Sequence, residues 1–362
     1  MNRAALVRVV VVAGTLLAAA CSKKAPSRTR PEPVDEWTAR FLVEFSREPD
    51  STPTRWKNLI GEYGPDTVTR WFVIERDRRL WIQDQFNNFV PLAAVSDSVY
   101  SSPVIPVPIN GEVRFSLDST GRATAMRAAN VVMERRNVEP PSGASQLRIT
   151  SVRPLDELMR EALAATPPAE SGRFVPSDLV DLATLDTTIR FDIRYATDNN
   201  FLGAPMYSAP RAFMQKAAAQ ALVRANRNAK RVGYALLIHD AYRPWYVTKV
   251  FWDATPQDKK WMVANPAQGS RHNRGIAVDL TLWDIERKVP VEMPSTYDES
   301  SPRAHSTYPG GTSLQRYYRL LLRKVMENEG FAVHPLEWWH FDFVDFKRYA
   351  IGNEKFEDLG RK

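Results

Sequence analysis

A carboxylate stands in the middle of an alternating apolar segment, and this limits how the chain can fold. In residues 276–282 an isoleucine, a valine and two leucines occupy every second position, which is the period of a β-strand. Asp279 falls on the opposite face between small residues, where an unpaired charge is expensive to bury. We therefore expect a strand in which Asp279 has a partner, either a basic side chain or a metal ion.

Further metal-ligating side chains lie close to this strand in the sequence. His272 comes shortly before it, and Gly275 supplies a turn that can bring the imidazole back toward Asp279. The segment Glu337-Trp338-Trp339-His340 follows about sixty residues later. Two imidazoles and one carboxylate are a common ligand set of catalytic zinc, and Glu337 is left over as a general base. A salt bridge for Asp279, a surface loop for His272 and an aromatic core around His340 remain open alternatives.

The spacing of Glu337 and His340 makes a geometric prediction. The two residues are three positions apart, so on a regular strand their side chains would face opposite sides. For both to serve one site, the chain must bend or bulge near Glu337 or Trp338. The surrounding aromatic residues also predict a dry site, in which Glu337 would be more basic than usual.

A second polar group follows the predicted strand at residues 234–238. Asp240-Ala241-Tyr242-Arg243-Pro244 places a guanidinium and a carboxylate at a strand end, a common place for functional residues. Arg243 could stabilise an oxyanion, with Asp240 orienting its guanidinium. The alternative is an ion pair on the surface.

Taken together, these motifs resemble those of the zinc D-alanyl-D-alanine dipeptidases, which include the vancomycin-resistance dipeptidase. The shared pattern is Ser-x-His-x-x-Gly-x-Ala-x-Asp at 270–279, Glu-Trp-Trp-His at 337–340 and Asp-x-Tyr-Arg-Pro at 240–244. The resemblance extends over about Ser177 to Asn353. It implies an α+β fold with an antiparallel-rich sheet and packed helices, shared with D-Ala-D-Ala carboxypeptidases and the hedgehog signalling domain.

The resemblance also implies a role for individual residues and one zinc ion per chain. The implied zinc ligands are His272, Asp279 and His340, with Glu337 as general base and Arg243 as oxyanion stabiliser. The implied substrate contacts are Ser270, Tyr195, Tyr207 and Asp298. An acidic Asp298 at the amino end of the pocket would recognise a free α-ammonium, which favours the D-Ala-D-Ala dipeptide as substrate. The remaining histidines, predicted to be structural or exposed, are His239, His305 and His334.

Two other functions stay open at this point. One is a D,D- or L,D-carboxypeptidase or an endopeptidase that acts on peptidoglycan. The other is a non-catalytic, zinc-stabilised lipoprotein that binds cell-wall peptide. Glu337 argues against the second, because a closed structural zinc site needs no spare carboxylate.

The first residues predict export and anchoring. Arg3 and Arg8 precede an uncharged run at 9–20, which is shorter than the roughly 20 residues of a spanning helix. Cys21 is the only cysteine in the chain and follows three alanines, an arrangement that resembles the lipobox of bacterial lipoproteins. We expect residues 1–21 to be a lipoprotein signal peptide, Cys21 to be lipidated, and the protein to face the periplasm or the cell exterior on a membrane. Residues 22–36 would form a flexible tether.

The rest of the chain divides into three predicted parts. Residues 37–136 favour a small, mainly-β accessory domain, with a hairpin at the charged break 75–79 and no histidine for chemistry. Residues 137–173 are predicted to be a linker with a short helix, and residues 174–354 to be the catalytic domain.

Two helices are predicted in the catalytic domain, over 210–228 and 313–329. The net charge of +7 suits an anionic surface, but no basic–aromatic module predicts a nucleic-acid partner. The sequence leaves the oligomeric state open.

Overall fold

The computed structural model describes residues 35–65, 69–102, 111–138, 148–343 and 346–359. The predicted signal peptide, Cys21 and nearly all of the predicted tether lie outside the described residues. Within the described ranges, no helix is long and apolar enough to cross a membrane.

The first part of the chain forms two short helices and one antiparallel sheet of eight strands in sequence order. The helices are α1 Glu36–Glu44 and α2 Thr54–Lys57. The strands are β1 Gly61–Tyr63, β2 Trp71–Arg76, β3 Arg79–Asp84, β4 Phe89–Ala94, β5 Val99–Ser102, β6 Gly111–Leu117, β7 Ala123–Ala128 and β8 Val131–Glu134.

This first sheet closes on itself, because its two outer strands meet. The Gly64 N–H donates to the Glu134 carbonyl at 3.0 Å, and the Arg136 N–H donates to the Glu62 carbonyl at 2.8 Å. Such closure leaves few unpaired strand edges. The sheet has its own apolar core, in which Phe115 packs edge-on against Tyr63 and Tyr100.

The predicted hairpin at the charged break is confirmed. Asp77 and Arg78, with φ of 51° and 60°, form the two-residue turn between β2 and β3. Both central residues have positive φ, as in the type I′ turns whose twist matches that of the paired strands. A second reversal follows Ala128, because Ala129 adopts a left-handed φ of 51° between β7 and β8.

The second part contains five helices and two further sheets. The helices are α3 Leu155–Ala164, α4 Leu182–Leu185, α5 Lys216–Lys230, α6 Trp245–Ala254 and α7 Ser313–Glu327. The strands are β9 Leu179–Asp181, β10 Arg190–Phe191, β11 Phe213–Gln215, β12 Tyr234–Asp240, β13 Ala277–Asp284, β14 Val289–Pro290, β15 Phe331–His334 and β16 Glu337–Phe343.

The main sheet of this part has the order β10-β12-β13-β16-β15, with β14 paired to β13, while β9 and β11 form a separate ribbon. All pairs except β10 with β12 are antiparallel. Helices α5 and α7 pack with the main sheet around one apolar core. The predicted α+β fold with an antiparallel-rich sheet is therefore confirmed.

One predicted helix starts later than expected. The apolar spacing from residue 210 predicts helix, but Phe213–Gln215 forms β11 against β9, and α5 begins only at Lys216. The backbone N–H of Gln215 donates to the Gly275 carbonyl at 2.8 Å, so this segment is held by pairing distant in sequence. The short helix at 155–163 and the helix from Ser313 are present, the latter ending at Glu327.

Two segments that were predicted to lie outside the catalytic domain pack onto its core. Phe41 and Phe45, from the first helix and its end, belong to the apolar core of the second part. Phe45 packs edge-on against Tyr317 of α7, with ring centroids 5.3 Å apart. Leu158 of α3 joins the same core, so the predicted linker region contributes to the second part of the fold.

Candidate active site

The site begins as a row of side chains across three neighbouring strands. Strand pairing sets Asp240 of β12 opposite Asp279 of β13, and Asp279 opposite His340 of β16. All three side chains are buried. Because directly opposite residues on antiparallel strands lie about 4.5–5.5 Å apart, the ladder itself concentrates these polar groups in one place.

His272 reaches the row from a short 3₁₀ turn just before β13. The turn spans His272–Arg274 and ends at Gly275, whose φ is 69°. The positive φ favours glycine, and a Cβ at Gly275 would lie 2.6 Å from a methyl carbon of Leu179, which would then have to move. The predicted turn at Gly275 is thus present, and it directs the His272 imidazole toward Asp279.

Three ligand atoms meet at the centre of the site. His272 Nε2 lies 3.2 Å from His340 Nδ1 and 3.4 Å from Asp279 Oδ1, and His340 Nδ1 lies 2.9 Å from that oxygen. A tetrahedral zinc ion with bonds of about 2.0–2.1 Å holds its ligand atoms about 3.3 Å apart. The observed separations therefore fit such an ion.

The outer contacts of the ligands orient them toward this centre. His272 Nδ1 lies 2.7 Å from the Ala241 carbonyl, and His340 Nε2 lies 3.1 Å from Asp342 Oδ1. Both partners are acceptors, so each imidazole donates outward and turns the lone pair of its other nitrogen inward. The Tyr297 hydroxyl donates to Asp279 Oδ2 at 3.0 Å, leaving Oδ1 for the centre. Partners of this kind typically fix metal-bound histidines.

The charges at this centre depend on one another. Burial acts to raise the pKa of Asp279, but the His272 and His340 imidazoles outweigh it and hold that pKa well below its usual range. Burial acts to lower the pKa of His340, but Asp279 and Asp342 raise it well above its usual value. In the absence of a metal ion, a proton on an imidazole supplies the positive charge that the buried carboxylates require.

Glu337 stands beside the cluster through the predicted bend. The pairing of β15 with β16 shifts register, since Val333 lies opposite Phe341 whereas His334 lies opposite Glu337. The bulge brings Glu337 Oε2 to 3.8 Å from His340 Nδ1. The expectation of a dry site is not met at this residue, because 39% of the Glu337 side chain is exposed to the cavity and solvent.

Arg243 is held rigidly against Asp240. Its Nε and Nη2 donate to Asp240 Oδ2 at 3.0 and 2.7 Å, while the guanidinium lies over the rings of Tyr195 and Phe251 at 5.1 and 5.0 Å. The alternative of a surface ion pair is excluded, because both groups are buried. Among the described residues Nη1 of Arg243 has no hydrogen-bond partner, and the side chain lines the cavity.

Asp298 also lines the cavity. Its Oδ2 accepts from the Tyr195 hydroxyl at 2.9 Å, and Tyr195 in turn lies 3.5 Å from the Tyr297 hydroxyl. Asp298 has a φ of 59°, a left-handed conformation that is uncommon outside glycine. Burial, followed by the charge of Asp279, raises its pKa to about 8. A cation beside this carboxylate would counter both effects.

The other predicted contacts lie in different places. Ser270 lines the cavity, and its hydroxyl accepts from the His272 N–H at 3.2 Å. Tyr207 lies behind the wall instead, where its hydroxyl donates to Asp240 Oδ1 at 2.6 Å. It therefore orients Asp240 instead of facing the cavity as a substrate contact would.

The three remaining histidines stand outside the ligand cluster. His239 is buried against Asp192 and Tyr297, and its pKa is lowered to about 4, chiefly by burial. His305 and His334 line the cavity wall.

The cavity has a volume of about 600 Å³. Its mouth includes two exposed apolar side chains, Trp261 and Leu336. Ile149 also lines the wall, from the region predicted to be a linker. The volume lies within the range of about 300–1,000 Å³ that is usual for small-molecule sites.

The motifs did not identify two side chains that touch the ligands. Asp342 supports His340, and Tyr297 supports Asp279. Asp342 could have been found from its spacing, because it lies two residues after His340 on the same strand face. Tyr297 gave no such signal, since it reaches Asp279 only through the folding of the segment before α7.

A buried His-Asp-His cluster with a nearby free carboxylate in an open cavity is typical of a hydrolytic metal centre. Residues 176–358 match the D-Ala-D-Ala dipeptidase family of peptidases, and the chain belongs to that family. It is therefore a peptidase.

Similar proteins carry the same description. A D-alanyl-D-alanine dipeptidase of Escherichia coli K12 is 33% identical over 180 residues, 50% of this chain and 92% of that protein. The Enterococcus faecalis and Streptomyces coelicolor enzymes of that name are 36% and 32% identical over 175 and 182 residues, covering 43% and 45% of this chain and 87% and 90% of theirs. A solved LD-carboxypeptidase structure matches with 19% identity and a TM-score of 0.29, over 56% of this chain and 89% of that one.

Proposed function

We propose that this peptidase hydrolyses the free dipeptide D-Ala-D-Ala with one zinc ion held by His272, Asp279 and His340. The observation that carries the proposal is the convergence of three ligand atoms within 3.4 Å of one another, with Glu337 adjacent and Asp298 lining the same cavity. The family and the names of the relatives support the same substrate.

Zinc at this position would act as a Lewis acid toward the peptide carbonyl and would make a water molecule more acidic. The cluster contains three protein ligands among the described residues, which leaves a coordination position for chemistry. This arrangement disfavours the non-catalytic, zinc-stabilised module, which would use four protein ligands.

Glu337 moves the proton in this mechanism. Its carboxylate accepts a proton from the attacking water and returns it to the amine nitrogen as the C–N bond breaks. Its exposure to the cavity gives both water and substrate access to it.

Arg243 stabilises the negative charge that develops on the carbonyl oxygen. Asp240 fixes two of its nitrogens, so the guanidinium needs little reorganisation when the charge appears. Tyr207 and the Ala241 N–H both donate to Asp240 Oδ1, which holds the carboxylate in turn.

Asp298 selects substrates with a free amino terminus. A carboxylate held in a partly buried pocket attracts an α-ammonium strongly, whereas an N-acetyl group offers no charge and needs additional space. Ser270 and Tyr195 complete the proposed contacts around the dipeptide.

A second candidate is a carboxypeptidase or endopeptidase acting on D,D- or L,D-linked peptidoglycan peptides. The observation that favours it is the cavity of about 600 Å³, which has room for a ligand longer than a dipeptide. Under this alternative, a substrate would not need a free α-ammonium group to bind beside Asp298.

A substrate panel tests the two candidates. The chain from near Val34 would be assayed on D,D-, L,D- and L,L-dipeptides, each with and without an N-acetyl group, in the presence of zinc or of a chelator. Our proposal predicts zinc-dependent cleavage of D-Ala-D-Ala and none of its N-acetylated form. Equal rates on both would favour the second candidate, and activity that resists complete metal removal would contradict the mechanism.

We place the enzyme outside the cytoplasm, attached to a membrane through lipidated Cys21, where it would scavenge D-Ala-D-Ala released during cell-wall turnover. The single cysteine directly after a signal-like segment supports this location. Metabolic labelling with a tagged fatty acid should mark the wild type and not Cys21→Ser. Activity recovered in the cytosolic fraction of the wild type would contradict the proposed location.

A further inference from the structure

We propose that the domain formed by the first sheet positions the substrate segment, defined as residues 292–311, and that Glu75 is the residue that couples the two. The substrate segment carries Tyr297 and Asp298 and leads directly into α7. The inference rests on the proposed function, in which Asp298 binds the amino end of the substrate.

Glu75 makes a buried contact between the two parts of the fold. It lies in β2 and is 3% exposed, and its Oε2 accepts from the Ser313 N–H at 2.8 Å and from the Thr52 hydroxyl at 3.2 Å. The Ser313 hydroxyl also donates to the Glu75 carbonyl at 3.1 Å. Ser313 begins α7, so its N–H has no partner within the helix. A carboxylate at this point satisfies that donor and interacts favourably with the helix dipole.

Both ends of the substrate segment have contacts toward the first domain. At the end nearest α7, Arg316 donates to the Glu75 carbonyl and, at 2.8 Å, to the Gly311 carbonyl. At the beginning, Glu292 pairs with Lys57 of α2 at 3.2 Å. Between them, Tyr308 packs edge-on against Phe72 of β2, with ring centroids 6.0 Å apart. The outer side of the segment therefore rests on the first domain.

The inner side of the same segment carries Asp298 in a turn, where its φ is 59°. On the cavity side, Tyr195 holds Asp298, and Tyr297 is tied to Asp279. If the outer contacts are lost, Asp298 can relax away from the amino end of the substrate while Glu337 and the metal ligands keep their places.

Two variants break the contact from opposite sides. Glu75→Ala removes the carboxylate that accepts from the Ser313 N–H and leaves the backbone carbonyl in place. Ser313→Pro removes the other side of the contact, the Ser313 N–H and hydroxyl. Proline is well tolerated at the first position of a helix, so we expect this variant to fold even if Glu75→Ala does not. Glu62→Gln is the matched control, because Glu62 is also a buried carboxylate of the first sheet but pairs at 3.2 Å with Arg136 of the same domain.

Hydrogen exchange of the backbone amides in 292–311, followed without substrate, tests the positioning directly. We expect exchange there to accelerate about tenfold or more in Glu75→Ala and Ser313→Pro, and to stay unchanged in Glu62→Gln. The reason is that losing one hydrogen bond to a charged group shifts the local opening equilibrium by about tenfold or more. Kinetics on D-Ala-D-Ala should show KM raised about tenfold with kcat and zinc content nearly unchanged.

Several results would overturn the inference. These are unchanged exchange and KM in the folded Ser313→Pro variant, an equal effect in Glu62→Gln, or a loss confined to kcat. If the wild type fails to cleave D-Ala-D-Ala, the proposed function is wrong, whereas the exchange measurement still decides whether the first domain holds the segment.

Discussion

The two sheets of this protein both bury carboxylates, but they use them differently. In the first sheet Glu62 is neutralised by Arg136, and Glu75 is bound by the start of α7. In the second sheet Asp240, Asp279 and the groups around them converge on a cavity. The comparison shows that buried charge alone does not indicate chemistry. What distinguishes the second sheet is that three side chains able to hold a metal ion, His272, Asp279 and His340, meet at one centre beside the cavity.

The largest effect should come from removing the proposed base. Glu337→Gln should lower kcat on D-Ala-D-Ala by about 10²–10⁴-fold, because proton transfer is lost. Zinc content, measured on the purified protein, should stay at the wild-type level. Glu327→Gln, on the exposed side of α7, is the control. Near-normal turnover by Glu337→Gln or Glu337→Ala would show that the site does not act as we propose.

Zinc removal should lower the stability of the second part of the chain and leave the stability of the first sheet unchanged. A ligand present at about a hundred times its dissociation constant stabilises the native state by about 2.7 kcal/mol, so chelation should lower the free energy of unfolding of the second part by about that amount. Amide exchange in β12, β13 and β16 should accelerate, whereas exchange within β2 to β8 should not. Equal acceleration in both sheets would mean that the two parts unfold as one unit.

A smaller effect is expected from the pH dependence of stability in the zinc-free protein. The pKa of Asp298 is raised from 3.8 to about 8, so between these values the native state binds a proton that the unfolded chain has lost. The free energy of unfolding therefore falls as pH rises through this window, by at most about 1.4 kcal/mol per unit for one proton.

Urea unfolding at pH 5 and pH 8 measures this slope. Asp298→Asn should be less sensitive to pH than the wild type, because the variant cannot titrate at this position. The groups that face Asp298 and also bear charge are Asp279, Glu337 and Arg243, and they are common to both proteins. Identical slopes in the two proteins would show that the Asp298 carboxyl is ionised like an exposed one.

The smallest effect should come from the surface of the first sheet. Phe86, in the turn between β3 and β4, is 75% exposed and is not among the residues that line the cavity. Phe86→Ser should change stability by less than about 0.5 kcal/mol and leave kcat/KM unaltered. A clear change in KM would extend the coupling beyond Glu75 and would require a wider contact between the two parts.

Much of the site could be predicted because its signals are local. The alternation around Asp279 predicts a strand, Gly275 predicts a turn, and the spacing of Glu337 and His340 predicts a bend that the register shift confirms. The predicted start of the helix at residue 210 was wrong. Phe213–Gln215 pairs with β9 instead, and such long-range pairing overrides local apolar spacing. The dryness expected around Glu337 was also wrong, since neighbouring aromatic residues in sequence need not cover a side chain on a bulge.

The amino-acid sequence by itself determined the order of the motifs, the chemical types at the site and the strand, turn and bend that carry them. Only the tertiary structure decided that Asp240, Asp279 and His340 lie on one row. It also decided that Tyr297 and Asp342 contact Asp279 and His340, and that Glu75 of the first sheet accepts from the first residue of α7. The physical reason is that periodicity fixes which way a side chain faces along its own strand. The partner opposite it is fixed by hydrogen-bond register between strands far apart in the chain.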